Sequence, residues 1–174
     1  NNLSKTDLKN LGLLSERGNF LFKNRIIFPI TNLRNETVGF GGRAIDDFGP
    51  KYLNTAESSI YRKNRTLYFT NEFLSDVKKK KFVILVEGYF DVIAFNKLGF
   101  NNVASPSGTA LTVQQINLLS RYTKEVYLCF DNDAAGDSAS KRVLEIKNNQ
   151  PSEMNFFKLN LPEEFKDISE LYES

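Results

Sequence analysis

Two apolar runs, each closed by acidic residues, constrain this chain more than any other feature: FVILVEGYFDV at 82–92 and VYLCFDND at 126–133. Val83–Val86 and Val126–Phe130 show no polar alternation, which is the pattern of strands buried on both faces of a parallel sheet with helices above and below. In open α/β sheets, ligands gather beyond the carboxyl ends of the strands. Glu87, Asp131 and Asp133 are therefore expected on one rim.

The pattern around these runs repeats. Strand 82–86, helix 89–98, strand 102–105, a turn at Pro106–Gly108, helix 112–123, strand 125–130, helix 134–148 and strand 154–159 predict βαβ units with right-handed crossovers. Upstream, Thr6–Leu11 reads as a short helix closed by Gly12. Arg25–Ile30 and Thr37–Phe40 read as a hairpin around the polar turn Asn32–Asn35, its second strand running into Gly39, Gly41 and Gly42, where another group can approach the backbone closely. Lys78–Lys81 reads as a solvated connector between an amino-terminal part, 1–80, and an α/β part, 81–174.

Charge separates along the same line. The net charge of the chain is +2, but residues 1–80 hold 14 Lys/Arg against 8 Asp/Glu, whereas residues 81–174 hold 9 against 13. A basic part beside an acidic part suits a protein that grips a polyanion and holds divalent cations. No apolar stretch approaches the ~20 residues of a membrane span and no signal region is evident, so the expected location is cytoplasmic. The single cysteine, Cys129, falls inside a strand as a small core residue, and with no histidine in the chain a zinc site is excluded.

Glu87 follows a run of buried apolar residues, where an unpaired charged carboxylate would cost several kcal/mol. Asp133 could simply cap the helix that starts near Ala134, but capping explains one carboxylate and leaves two. Hard oxygen donors without histidine or thiolate favour Mg²⁺ or Mn²⁺. Two such ions ~4 Å apart support phosphoryl or nucleotidyl transfer, with Asp131 bridging, Asp133 completing one ion and Glu87 holding the other or accepting a proton.

These residues also carry a resemblance. VEGYFDV at 86–92 with FDNDAAG at 130–136 resembles the TOPRIM domain of bacterial primases, topoisomerases and some nucleases. NRIIFPI at 24–30, VGFGGR at 38–43, PKYLN at 50–54 and YRKNRTLY at 61–68 resemble the amino-terminal part of the RNA polymerase domain of DnaG-type DNA primases. The resemblance implies that Glu87, Asp131 and Asp133 bind catalytic metals, with Asp91 beside them. It also implies that Asp167 belongs to a further acidic motif, whose second aspartate is Ser169 here. It assigns Arg25, Arg43, Lys51 and Arg65 to template or nucleotide-phosphate contact, with Tyr52 and Asn54 shaping the groove. Tyr61 and Tyr68 are read as core, Asp137 as an exposed helix charge, and Gly108 in Ser105–Thr109 as a turn residue.

The implied fold is α/β: a TOPRIM-type parallel sheet flanked by helices, preceded by a smaller basic α+β subdomain. The implied activity is that of a primase catalytic core fragment, a DNA-dependent RNA polymerase that uses Mg²⁺ or Mn²⁺ and ribonucleoside triphosphates to build an RNA primer on single-stranded DNA. A replicative helicase and a single-strand binding protein would be met through other parts of the full-length enzyme. Its zinc-binding domain and helical end are not recognisable here, so poor unassisted primer synthesis is expected. The rivals are a TOPRIM-type nuclease, which would not be expected to carry the upstream motifs, and a non-catalytic DNA-binding scaffold, which would be expected to lose some of the carboxylates.

Overall fold

The computed structural model describes residues 3–46, 49–108, 110–148 and 153–174. Backbone packing divides the chain into two compact units, Asn1–Thr66 and Leu67–Ser174.

The first unit opens with helix α1 (Lys5–Asn10), which starts where a side chain can satisfy its free amides. Ser4 Oγ accepts from the Asp7 amide at 3.0 Å, and Asp7 Oδ2 accepts from the Ser4 amide at 2.9 Å. The unit's sheet is antiparallel, in the order β1 (Arg25–Thr31), β2 (Thr37–Ala44), β3 (Tyr52–Asn54). Strand β2 continues straight through the glycines, and their lack of a side chain is used by aromatic rings. A Cβ on Gly39 would lie 3.2 Å from the Tyr61 ring, and one on Gly42 would lie 2.7 Å from the Phe22 ring. Tyr61 is buried beneath β2, as core rather than as a stacking surface.

The second unit is a four-stranded parallel sheet in the order β5-β4-β6-β7, from β4 (Phe82–Leu85), β5 (Val103–Ala104), β6 (Glu125–Leu128) and β7 (Asn155–Lys158). Central strand β4 is apolar on both faces, and Val83, Leu85 and Val86 are fully enclosed. Before it comes helix α2 (Phe73–Lys80), and between the strands come α3 (Tyr89–Lys97), α4 (Val113–Leu119) and α5 (Ala134–Asn148), with α6 (Ile168–Glu173) last.

Two expectations are revised, and one helix is added. The lysine run is the last turn of α2 rather than a connector: Phe73 and Val77 bury its apolar side, Lys80 pairs with Asp76 at 3.0 Å, and Lys81 ends the helix at φ +67°. Helix α4 ends at Leu119, four residues short of the expected end, because Tyr122 and Thr123 both turn back onto the Leu119 carbonyl. Helix α6 was not foreseen; it is too short for its period to stand out, and it is nucleated by Asp167 as its cap.

Candidate active site

Glu87, Asp131 and Asp133 of the second unit stand where a strand hands over to a helix. Val86 is the last enclosed residue of the central strand, and Glu87 and Gly88 lead into α3. Asp91, one turn into α3, accepts from the Gly88 amide at 2.8 Å, which fixes the entry of the helix. On the neighbouring strand, Cys129 and Phe130 prolong the buried run beyond β6, and Asp131 to Asp133 form the step into α5.

The two strand ends are tied together at the rim. The Asp131 amide donates to Glu87 Oε1 at 3.2 Å. Asp133 is beyond the end of β6, and its Oδ1 accepts from the Ala135 and Gly136 amides at 2.9 and 3.0 Å. Its second oxygen lies 4.0 Å from Lys166 Nζ. Asp167 caps α6 by accepting from the Glu170 amide at 2.9 Å, and Ser169 donates to Asp91 Oδ1 at 3.4 Å. The position where the resemblance implies a second aspartate therefore holds a hydroxyl directed at Asp91.

Electrostatics couple these groups. Burial, reinforced by the charges of Glu87, Asp91, Asp167 and Asp133, pushes the Asp131 carboxyl up to about 7. Burial also raises Glu87, against the amide it accepts from, and raises Asp91 against its own hydrogen bonds. A set of carboxylates that repel one another in a partly buried rim is a set that a divalent cation would stabilise, and all its donors are hard oxygens. Several of these oxygens are held by backbone amides. Among the described residues, no three acidic or thiol side chains converge closely enough to enclose an ion.

Some residues that hold this rim have only weak sequence signals. Gly136 packs against the Asp131 backbone so closely that a Cβ there would overlap the Asp131 carbonyl oxygen and lie 3.0 Å from its amide nitrogen. Its one sequence signal is a glycine inside a helical pattern. Asn132 donates through Nδ2 to the carbonyls of Phe165 at 2.8 Å and Pro162 at 3.2 Å, and its amide donates to the Lys166 carbonyl at 2.7 Å. It anchors the loop that carries Lys166 and Asp167. Ser105 is fully buried, and its hydroxyl donates to the Glu87 carbonyl at 2.6 Å. Ser107 and Gly108 turn the following loop through φ +59° and +80°, and Thr109 lies outside the described residues. Asp137 is exposed and pairs with Lys158 at 2.7 Å.

The basic candidates belong to the first unit. Arg43 and Tyr52 are register partners across β2 and β3, with the guanidinium 5.7 Å from the ring centroid and Nη1 3.3 Å from the phenol oxygen. Asn54, two residues beyond Tyr52, shares that face. Arg25 pairs with Ala44 and so falls on the opposite face, where its guanidinium donates to the Gly42 carbonyl at 3.3 Å. Lys51 is exposed just before β3, and Arg65 is exposed at the end of a single 3₁₀ turn, Lys63–Arg65. The sheet thus groups Arg43, Tyr52 and Asn54 and separates them from Arg25.

Comparison with known proteins agrees with both units. Residues 84–172 match the Toprim-like family, and residues 1–74 match the family described as the N-terminal domain of the DNA primase catalytic core. This chain belongs to the bacterial DnaG-type DNA primase family. The DNA primase of Rickettsia bellii is 42% identical over 149 residues, 83% of this chain and 25% of the relative. The Aquifex aeolicus primase is 43% identical over 127 residues, 72% of the chain and 26% of the relative. A solved structure of the Aquifex aeolicus primase, with zinc-binding and RNA polymerase domains, matches with a TM-score of 0.87 at 38% identity, covering 97% of this chain and 42% of that one. A primase domain from Pseudomonas aeruginosa matches with a TM-score of 0.88 at 34% identity, over 99% of this chain and 56% of that one. A DnaG catalytic domain solved bound to single-stranded DNA matches with a TM-score of 0.85 at 33% identity, over 97% and 54%. The chain spans about a quarter of the length of the curated primases it matches. Its fold is the mixed α/β, TOPRIM-type architecture of primase catalytic cores. No helix among its described residues is long and apolar enough to cross a membrane.

Proposed function

We propose that this chain is the catalytic core segment of a DNA primase, which extends RNA on a single-stranded DNA template from ribonucleoside triphosphates in the bacterial cytoplasm. The observation that carries the reading is the rim where the Asp131 amide is tied to Glu87 between adjacent strand ends, with Asp91, Asp133 and Asp167 contributing charge. Glu87, Asp131 and Asp133 would hold Mg²⁺ or Mn²⁺, with Asp91 and Asp167 in support. When bound, such ions neutralise phosphate charge and make a hydroxyl acidic enough to attack phosphorus.

The chain's own residues do the rest. Asp131 and Glu87 are fixed to each other through one backbone hydrogen bond, so the rim keeps its spacing while substrate enters. Glu87 would hold one ion or accept the proton of a 3′-hydroxyl. Arg43, Tyr52 and Asn54 would grip nucleic acid or nucleotide phosphates from one sheet face, with Arg25, Lys51 and Arg65 adding sequence-tolerant affinity. We assign the helicase and single-strand binding protein contacts to other parts of the full-length enzyme.

The test is primer extension with Mn²⁺, ribonucleotides and labelled single-stranded DNA carrying an annealed RNA primer. Asp133→Asn keeps the helix cap, since asparagine caps as well as aspartate, and removes only the charge. Extension by the wild type that is lost in this variant, at an unchanged melting temperature, is expected. Full activity in the variant, or template cleavage without extension, would overturn the assignment.

A further inference from the structure

Beside the carboxylate rim, the second unit has a cavity of about 350 Å³ that the metal chemistry does not use. Its floor is apolar, formed by Leu111, Phe130 and Val143, all buried. One wall is the α5 face carrying Ala135, Ala139 and Arg142, which recur at helical spacing on one side of the helix. Alanines keep that wall low, so the cavity is open along the helix. Glu87 stands at its mouth, with the same side chain that receives the Asp131 amide.

The lining carries two opposite charges. Glu87 belongs to the rim, and Arg142 lies about 10 Å from Ala135 along α5, at ~1.5 Å per residue. No described acidic group forms an ion pair with the Arg142 guanidinium. The volume lies within the ~300–1,000 Å³ range of small-ligand pockets. The apolar floor offers no donors to a phosphate, whereas an uncharged planar ring gains from its surface. Arg142 supplies only donors, which suit the ring nitrogens and carbonyl oxygens of a base edge.

We infer that this cavity takes the nucleobase of a nucleotide whose phosphates are held at the carboxylate rim, with Phe130 and Leu111 beneath the base and Arg142 at its edge. This rests on the reading of the rim as a metal–phosphate site. It assigns Arg142 and Ala139 to nucleotide binding, and gives the low wall of α5 a reason: a larger side chain at 139 would occupy the space of the base.

Calorimetric titration of the 174-residue chain with Mn²⁺ alone, with Mn²⁺ and inorganic tripolyphosphate, and with Mn²⁺ and ATP tests it. In the wild type, ATP binds more tightly than tripolyphosphate. Arg142→Gln and Ala139→Leu each weaken ATP by about tenfold, the scale of one lost base contact, and leave Mn²⁺ and tripolyphosphate affinities unchanged. If Ala139→Leu fails to fold, Arg142→Gln stands alone, together with photolabelling by 8-azido-ATP, expected on residues 135–143. Equal affinity for ATP and tripolyphosphate, unaltered ATP binding in a folded variant, or label elsewhere overturns the pocket and leaves the rim intact. Absence of Mn²⁺ binding in the wild type overturns the rim and the pocket together.

Discussion

The α-carbon of Gly136 stands so close to Asp131 that a methyl group there would overlap the Asp131 carbonyl oxygen. The first turn of α5 and the acidic step before it are packed backbone to backbone, so the carboxylate is positioned by the absence of a side chain elsewhere. Inside a helix, Gly→Ala ordinarily stabilises by up to ~1 kcal/mol. Here the sign reverses: Gly136→Ala is expected to cost ~1–3 kcal/mol by forcing the backbone apart, and to weaken Mn²⁺ binding with it. Urea unfolding checks this, and a midpoint at or above that of the wild type would refute the packing argument.

Asp131 gives a pH dependence in the metal-free protein. Its folded pKa of about 7 lies above its ordinary value of 3.8, so the folded state binds the extra proton between these limits. Stability therefore falls as pH rises through that window and levels off above it. Asp131→Asn removes the effect. In chelator at pH 8 the variant should be the more stable, by ~1 kcal/mol once solvent screening of a half-exposed carboxyl is allowed for, and the difference should vanish near pH 4. Thermal melts in EDTA across pH 4–8 measure it; parallel curves would remove the like-charge account.

Ser169→Asp would place a second carboxylate beside Asp91, whose pKa burial already raises. The metal-free protein should lose ~1 kcal/mol at neutral pH, and added Mn²⁺ should recover more stability than it does for wild type. Equal melting of the two proteins in EDTA would show that Ser169 does not face Asp91.

Asn132 holds the loop before α6 through carbonyls of Phe165 and Pro162. Asn132→Ala should cost ~1–2 kcal/mol and raise hydrogen exchange in residues 161–170 while leaving β4 protected. Unchanged exchange in that segment would contradict the anchoring role.

Cys129 is 5% exposed, and burial pushes its thiol up to about 12. At pH 8 the native protein should therefore react with a thiol reagent only as fast as it opens, and one thiol should appear at once in denaturant. Rapid labelling of the folded chain would mean that the end of β6 is not buried.

Periodicity and side-chain chemistry were enough to read the parallel sheet, since strands enclosed on both faces must be apolar throughout, as at Val83–Val86. The acidic residues at their ends were legible for the same reason: a carboxylate directly after a buried strand has to be on the rim or be paired. Local pattern suggested the cap that Asp133 makes on α5, but it could not show that the glycines of β2 make room for Tyr61 and Phe22, or that Arg25 and Arg43 face opposite ways across one sheet. Those facts depend on which backbone lies against which. The lysine run misled because a solvated charge cluster and the last turn of an amphipathic helix have the same composition, and only Phe73 and Val77, packed beneath it, tell them apart. Residue identity thus set the chemistry available at the rim, while contacts between distant segments, Asp131 with Glu87 and Gly136 and Asn132 with Phe165, set where that chemistry is held, because such contacts have no spacing that the chain itself records.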